Sequence, residues 1–296
     1  MAGVSSTLVK TLREKTGAGV IACKNALVET QGDFEAAVDR LRAAEASKAS
    51  ANADRVAAEG LVSLVVDENR GAIVELNTQT DFAARTPAFH EAAFALARLA
   101  LDANGDRDAL LAARAPDGDG RVSDLMLRMA ARTGEHVDLR RAACVSVRAG
   151  VIASYIHGAA GPGLGRIGVL VALESRAPVD VLHRIGRAIA MHIAASAPLW
   201  VSPDQIPPEV LAEKRTALTE QAEQTGKPPA IVEKMVEGRM RKYLEEVVLG
   251  LQPFVLNPDQ RVEEALREAA ASAGSAMTIS AFVRFKVGEG LVQTAG

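Results

Sequence analysis

The feature that most constrains the fold of this chain is a change of sequence pattern at Gly60. Before it, apolar residues recur at the three- and four-residue spacing of amphipathic helices. After it, the apolar runs at 61–66 and 72–76 are typical of strands, and the turn residues at 67–71 between them predict a hairpin. The chain is therefore expected to place a helical N-terminal segment ahead of a core that contains sheet.

The N-terminal segment is predicted to form three short helices within residues 5–45. Their apolar faces are marked by Val9 and Leu12, then Ile21, Ala22, Ala26 and Leu27, then Phe34, Ala37, Val38 and Leu41. Glycine at 17 and at 32 supplies stops, because glycine adopts left-handed backbone angles at little cost. We expect residues 1–45 to form one small three-helix module, and the polar, alanine-rich residues 46–59 to form a linker that could itself be helical.

Strand and helix patterns recur in the same order along the core. The segments after the first hairpin are helices at about 83–102 and 121–133, strands at 144–147, 151–156 and 167–173, and a helix at about 179–196. This recurrence predicts an α+β fold with two related antiparallel-sheet subdomains. Their expected extents are 60–143 for the first, and 144–200 with 249–290 for the second.

A long helical hairpin is predicted at 201–248, between the two parts of the second subdomain. Its joint places Gly226 at a helix exit and Pro228 and Pro229 at the next helix entry, which is the usual asymmetry of helix ends. Both helices are polar on their outer faces, so a projecting antiparallel coiled-coil arm is expected. Its apolar faces are predicted to use Val210, Leu211, Leu218 and Ala222, then Ile231, Met235, Val236 and Met240. The remaining segments are a helix near 261–272, a strand at 278–287 and a short tail at 291–296.

Composition and charge exclude several classes of function. The net charge is −3, whereas dedicated nucleic-acid binders usually present a basic face. No apolar run reaches the ~18 residues of a membrane span, and no signal peptide is visible. The two cysteines, Cys23 and Cys144, match no metal spacing and indicate reduced thiols. We therefore expect a cytoplasmic protein that binds neither nucleic acid nor membrane.

One glycine-rich segment has the spacing of a dinucleotide-binding loop. Residues 163–168 read Gly-Leu-Gly-Arg-Ile-Gly, but a dinucleotide site needs such a loop to open a helix whose N-terminus meets the pyrophosphate. Here the next residues are strand-like, so a hairpin loop is the better interpretation. An oxidoreductase that uses this loop stays as an alternative, and the type of element after Gly168 distinguishes the two.

No other pattern indicates a catalytic residue, a metal or a cofactor. The acidic loop at 117–120 resembles the start of a calcium site, yet its twelfth position is Arg128 rather than glutamate. His183 and His192 lie on opposite sides of one predicted helix and cannot share a metal. No Ser/His/Asp or Cys/His set can be assembled from the spacing. The chain is not expected to be an enzyme.

The polar segment at 77–82 is the most informative local sequence. It reads Asn-Thr-Gln-Thr-Asp-Phe and joins the second strand to a helix, where Thr80 or Asp81 fits the N-cap position. Phe82 is unusual there, because a large apolar side chain stands beside a carboxylate where the chain should reach the surface. Two interpretations stay open. Phe82 packs under the helix as core, which the residues alone favour, or it forms an apolar wedge that enters a partner protein.

Six segments, in order, give the chain a resemblance to the elongation factor Ts family. They are Leu-Arg-Glu-Lys-Thr-Gly-Ala-Gly at 12–19 with Cys-Lys-Asn-Ala-Leu at 23–27, the segment at 77–82, Met-His-Ile-Ala-Ala at 191–195, Lys-Met-Val-Glu-Gly-Arg at 234–239, Gln-Pro-Phe-Val at 252–255, and Val-Gly-Glu-Gly at 287–290. The resemblance implies an N-terminal module of the ubiquitin-associated type, a core of two antiparallel-sheet subdomains, and a coiled-coil arm. Each of these agrees with the expectation from the residues.

The resemblance also implies a partner and a role. Members of this family are exchange factors that replace guanine nucleotide on the translational GTPase elongation factor Tu, without a cofactor. Thr80, Asp81, Phe82 and Ala83 would dislocate Mg²⁺ from the GTPase, with Phe82 as the wedge. The other implied partner contacts are Arg13, Val20 and Ile21 on the N-terminal module, Thr133 and Gly134 in the first subdomain, and His157 and Gly158 in the second.

Two points depart from the family pattern, and one further alternative stays open. The loop at 158–165 is longer than usual, and Ala83 stands where a larger aliphatic residue is common. The alternative function is that of a helical scaffold whose arm mediates oligomers. The arm could pair two copies of the chain as a homodimer or pack back on its own chain.

Overall fold

The computed structural model describes residues 5–16, 18–51 and 56–291. The expectations for the linker at 52–55 and for the tail at 292–296 lie outside the described residues. In the N-terminal module three helices occur as expected: α1 Ser6–Thr16, α2 Val20–Glu29 and α3 Phe34–Ala51. Their shared core consists of Val9, Leu12, Cys23, Ala26, Leu27, Ala37, Val38 and Leu41.

One expectation for the face of α2 is wrong. Ile21 and Ala22 are exposed, and Cys23 takes the inward position that precedes Ala26 by one turn. In addition, α3 runs through Ala51 into the expected linker. Alanine has the highest intrinsic helix propensity, which explains why this alanine-rich stretch continues the helix.

The first sheet has the strand order β3-β2-β1-β5 and is antiparallel throughout. Its strands are β1 Glu59–Asp67, β2 Arg70–Thr78, β3 Asp138–Ser146 and the two-residue β5 Leu164–Gly165. β1 and β2 form the expected hairpin, in register from Asp67 opposite Arg70 to Glu59 opposite Thr78. Both faces of this hairpin are buried, which is why its apolar runs are continuous.

Helices α4 to α7 come after the hairpin and cover one face of the first sheet. They are α4 Asp81–Ala84, α5 Pro87–Asp102, α6 Arg107–Ala112 and α7 Val122–Thr133. The expectation of a single helix at 83–102 is wrong, because Thr86 caps a new helix that begins at Pro87. Proline is favourable at this first position, since an N–H there would have no acceptor within the helix. The six-residue α6 was not predicted, since it is too short to show a periodic pattern.

The second sheet has the order β4-β6-β9 and is also antiparallel. Its strands are β4 Gly150–His157, β6 Ile167–Ser175 and β9 Met277–Lys286, and its outer face packs on α8 Val179–Ser196 and α11 Val262–Ala273. The strand expected at 144–147 belongs instead to β3, which pairs with β2 in the first sheet. β3 therefore runs across the division that was expected after residue 143.

The two sheets pack face to face, so the core has a layer of helices on each outer side and two sheets between them. In the central layer, Val62 and Ile73 of the first sheet lie in one apolar cluster with Ile152 and Leu170 of the second. Gly168 allows this close approach, since a Cβ at that position would lie 2.6 Å from Val62 Cγ1.

The expected helical hairpin consists of α9 Pro208–Glu223 and α10 Pro229–Val247, and we call this pair the arm. Its buried seam is formed by Leu218, Ala222, Val232, Val236 and Met240. Val232 replaces the expected Ile231, which is exposed. After the arm, β7 Pro253–Phe254 and β8 Asn257–Arg261 form a small hairpin. Within the part of the chain that the structure describes, no helix is long and apolar enough to cross a membrane.

Candidate functional site

Phe82 lies at the surface of the first subdomain. It is 79% exposed, although the neighbouring Ala83 and Ala84 are buried. The interpretation of Phe82 as core, which the residues alone favoured, is therefore wrong. A single exposed apolar side chain is common in proteins, so the way in which Phe82 is held is more informative than its exposure alone.

Phe82 is held on α4, a single helical turn that lies between Thr80 and Thr86. Thr80 is the N-cap, and its hydroxyl accepts a hydrogen bond from Ala83 N at 3.4 Å. Thr86, the N-cap of α5, donates its hydroxyl to Ala83 O at 2.9 Å and so ties the end of α4 to the next helix. Ala83 thus supports the turn from within, and Phe82 projects from it.

A carboxylate from a distant part of the chain fixes the segment that leads into α4. Glu135 accepts hydrogen bonds from Thr78 Oγ1 at 2.8 Å, from Thr80 N at 3.0 Å and from Thr80 Oγ1 at 2.6 Å. Burial disfavours the charged carboxylate, but the hydrogen bonds from Thr80, Thr78 and the Gln79 backbone outweigh burial and lower the pKa of Glu135. Glu135 is therefore ionised at neutral pH. Sequence reasoning missed this residue, because a partner 55 positions away leaves no local pattern.

Thr133 and Gly134 lie immediately before Glu135, at the end of α7. Gly134 has a φ of 73° and closes the helix in the left-handed conformation. Thr133 Oγ1 donates to Met129 O at 3.1 Å and accepts from Glu135 N at 3.2 Å. Both residues are exposed. Glu135 thus joins these two predicted contact residues to the segment that carries Phe82.

An open cleft of about 540 Å³ lies beside α4. Asp81 and Arg85 line it, together with Gly158 and Arg166 of the second subdomain. Its charges are already paired, since Asp81 Oδ2 lies 2.7 Å from Arg85 and Arg166 lies 2.5 Å from Glu59. The structure therefore brings the predicted contact at Gly158, next to the exposed His157, to the same cleft as Asp81.

The predicted contacts of the N-terminal module form a second surface. Arg13 is exposed near the end of α1, and Val20 and Ile21 are exposed at the start of α2, where Ile21 reaches 77%. Val28, two turns after Ile21 on α2, is exposed as well. This module therefore exposes an apolar strip on α2 and, on α1, the cation Arg13.

Two other candidate sites are excluded by their neighbouring residues. After Gly165 the chain enters the strand β6 at Ile167, so the glycine-rich loop opens no helix, and the dinucleotide-binding interpretation is wrong. In the acidic loop, Asp117 forms an ion pair with Arg128 at 2.6 Å. The residue at the twelfth position therefore supplies a cation where a calcium site would need a carboxylate.

The chain is similar to translation elongation factors. Residues 79–289 match the family model described as Elongation factor TS. Relatives named Elongation factor Ts come from Caulobacter sp. (strain K31), 52% identical over 295 residues, and from Parvibaculum lavamentivorans and Paramagnetospirillum magneticum, each 47% identical over 291 residues. The alignments cover 98% of this chain and 93% or 94% of each relative. The chain belongs to the elongation factor Ts family.

Proposed function

We propose that this protein is a guanine-nucleotide exchange factor for elongation factor Tu. In this role it binds the GDP form of the GTPase in the cytoplasm and promotes release of GDP, so that GTP can bind. It catalyses no chemical reaction itself. The observation that carries the proposal is the exposed Phe82, mounted on a capped helical turn beside a carboxylate, in a chain of the elongation factor Ts family.

The proposed mechanism acts on the metal site of the GTPase. Mg²⁺ in such a site bridges the nucleotide phosphates and keeps part of its shell as water, so its affinity depends on the residues that support that shell. Phe82 enters the GTPase as an apolar wedge and displaces those supports, while Asp81 disturbs the polar network around the metal water. The nucleotide is then bound more weakly, without a covalent step.

Thermodynamic linkage sets what the wedge must achieve. If binding of this protein lowers the affinity of the GTPase for GDP by a given ratio, then binding of GDP lowers the affinity of the GTPase for this protein by the same ratio. The complex must therefore be tight when the GTPase is empty and weaker when a nucleotide is bound. Phe82 must bind the open state of the GTPase better than the closed state, because equal affinity for both states would shift nothing.

The remaining predicted contacts are proposed to hold the two proteins together. Arg13, Val20 and Ile21 bind a helix of the nucleotide-binding domain through the apolar strip of the N-terminal module. His157 and Gly158 touch the third domain of the GTPase, and Thr133 with Gly134 gives a supporting contact near the wedge. A homodimer formed through the arm stays a prediction, which light scattering of the purified protein can check.

The proposal is tested by the release of fluorescently labelled GDP from elongation factor Tu. Wild type should accelerate release, and Phe82→Ala should reduce the acceleration about tenfold or more, because a central apolar anchor contributes ~2 kcal/mol or more at an interface. Leu256→Ala is the matched control, since it truncates another exposed apolar side chain, in the turn between β7 and β8. That variant should act like wild type.

The outcomes separate the function from the wedge. If wild type leaves the release rate unchanged, the proposed function is wrong. If wild type accelerates release and Phe82→Ala does so equally well, the function stands and the wedge assignment fails. Circular dichroism of both variants shows that a lost rate does not arise from unfolding.

A further inference from the structure

We infer that Glu135 is the positioning residue of the wedge: its carboxylate holds the turn from Thr78 to Thr80 so that α4 presents Phe82 outward. The inference rests on the proposed function, because it assigns Glu135 a role in exchange. It concerns a residue that need not touch the partner.

Glu135 binds both ends of the link between β2 and α4. Thr78 is the last residue of β2, and Thr80 is the cap of α4, so the two threonines stand on either side of this link. One carboxylate binds both, with Oε2 accepting from Thr78 Oγ1 and Thr80 N, and Oε1 accepting from Thr80 Oγ1. Hydrogen bonds to an ionised acceptor are about twice as strong as neutral ones. The link therefore has little freedom to rotate.

Glu135 also sets the direction of the Thr80 hydroxyl. A hydroxyl has a single proton to donate, and at 2.6 Å that proton is given to Glu135 Oε1. The oxygen lone pairs are then left to accept from Ala83 N, which is the cap of α4. Glu135 thus controls the cap through Thr80, and without it the hydroxyl is free to turn away.

Helix α4 cannot orient Phe82 without outside support. A helix of four residues is far below the length that is stable on its own in water. Phe82 is 79% exposed, so packing against its own chain does little to hold it. Glu135, by contrast, is held at the end of α7, where its backbone N–H donates a hydrogen bond to Thr133 Oγ1. The orientation of the wedge is therefore set by the first subdomain behind it.

This support should affect the rate of exchange. A contact group that is already held in its bound orientation loses less conformational entropy on binding. Releasing the turn should therefore lower the population of α4 that can insert Phe82, and it should lower the rate of nucleotide release in proportion.

The main test is Glu135→Gln, which keeps the size of the side chain but removes its charge and one acceptor. We expect the acceleration of GDP release to fall about tenfold, consistent with the loss of charge-assisted hydrogen bonds. The matched control is Glu68→Gln, the same chemical change on an exposed residue at the other end of the β1–β2 hairpin. The control should exchange at the wild-type rate.

A double-mutant cycle with Phe82→Ala distinguishes positioning from general damage. If Glu135 acts through Phe82, Glu135→Gln should cost nothing further in the Phe82→Ala background. A merely structural loss would lower the active fraction equally in both backgrounds. Glu135→Asp, which keeps the charge on a shorter side chain, should restore part of the rate.

A readout without the GTPase completes the test. In Glu135→Gln, amide hydrogen exchange of Thr80 and Ala83, whose N–H groups donate to Glu135 and to the Thr80 hydroxyl, should become at least about tenfold faster, whereas the buried strand β2 should be unchanged. If Glu135→Gln folds poorly, Thr78→Val removes one of the three bonds with an isosteric side chain and should show a smaller loss of the same kind.

The experiments distinguish a failure of the proposed function from a failure of the role of Glu135. If wild type does not accelerate GDP release, the proposed function itself is wrong. A wild-type rate for Glu135→Gln, or equal losses in both backgrounds of the cycle, would overturn the role of Glu135 and leave the function intact.

Discussion

His192 and Gln252 are joined by a buried hydrogen bond of 2.8 Å between Nε2 and Oε1, although 60 positions separate them in sequence. His192 Nδ1 accepts from Val255 N at 3.2 Å, and Gln252 Nε2 donates to Glu246 O at 2.6 Å. Because Nδ1 is an acceptor, the network assigns a neutral ring with its proton on Nε2. One neutral histidine thus fixes α8, the base of the arm and the β7–β8 hairpin to one another.

We expect the hydrogen-bond network around His192 to make the stability of the fold depend on pH, with a lower free energy of unfolding in mild acid. Burial lowers the pKa of His192, and the bond to Gln252 opposes that shift without cancelling it. Since the folded pKa lies below the unfolded value of about 6.5, the unfolded chain takes up the proton first. The stabilisation is therefore complete above about pH 6.5 and is lost as the pH falls through the folded pKa.

Urea unfolding at about pH 7.5 and about pH 5.5 measures this dependence. The free energy of unfolding of wild type should fall more from about pH 7.5 to about pH 5.5 than that of His192→Gln, because the variant lacks the titrating imidazole at position 192. His183→Gln, at an exposed position of the same helix, should keep the wild-type dependence. Equal losses for wild type and His192→Gln would contradict the assignment.

Among the charged residues that the structure describes, Glu75 is predicted to be the one whose substitution lowers the free energy of unfolding most. It is fully buried in the first sheet, where it lies 3.0 Å from Arg140 and 2.5 Å from Arg141 and accepts from Gly288 N at 2.8 Å. Glu75→Gln should lower the free energy of unfolding by about 3 kcal/mol, the lower end for breaking a buried ion pair, because both arginine side chains keep some access to water. Glu68→Gln should change it by less than about 0.5 kcal/mol. Similar values for the two variants in urea unfolding would show that the buried pairs contribute little.

Several segments that carry the family resemblance connect distant parts of the fold. Segments 191–195 and 252–255 meet through His192 and Gln252. In segment 287–290, Glu289 pairs with Arg141 of the first sheet and with Arg284 of the second. The sequence could indicate such segments only through resemblance, because a contact between distant positions leaves no local period.

The long periodic elements were predicted correctly, and the errors have physical causes. The helices α7 and α8 and the arm have strong periodic patterns, and the β1–β2 hairpin has two apolar runs joined by turn residues. The sheet to which β3 belongs could not be predicted, since periodicity shows a strand but not its neighbour. The exposure of Phe82 could not be predicted, because the hydrogen bonds that Glu135 makes to Thr78 and Thr80 join distant positions and leave no local pattern. Its apolar character alone therefore favoured the wrong interpretation.

Phe82 and Phe89 offer a comparison of the same substitution in opposite environments. Phe89 is 1% exposed in the core of the first subdomain, whereas Phe82 is 79% exposed. Phe89→Ala should cost about 3–5 kcal/mol in urea unfolding, because it removes buried area and leaves a cavity. Phe82→Ala should change stability by less than about 0.5 kcal/mol. A large loss of stability in Phe82→Ala would mean that the ring supports the fold, and its loss of exchange activity would then say little about a wedge.

Gly186 and Gly238 should respond to alanine with opposite signs. Gly186 lies where α8 crosses β4, and a Cβ there would come 2.5 Å from Ala153 Cβ, so Gly186→Ala should cost about 1–3 kcal/mol through overpacking. Gly238 is an exposed position of α10 with open space around it, so Gly238→Ala should stabilise the protein by about 0.5–1 kcal/mol, because alanine favours the helix. Urea unfolding of the two variants measures both values. A gain in stability for Gly186→Ala would show that α8 can move away from β4 at no cost, and that its close approach does not require glycine.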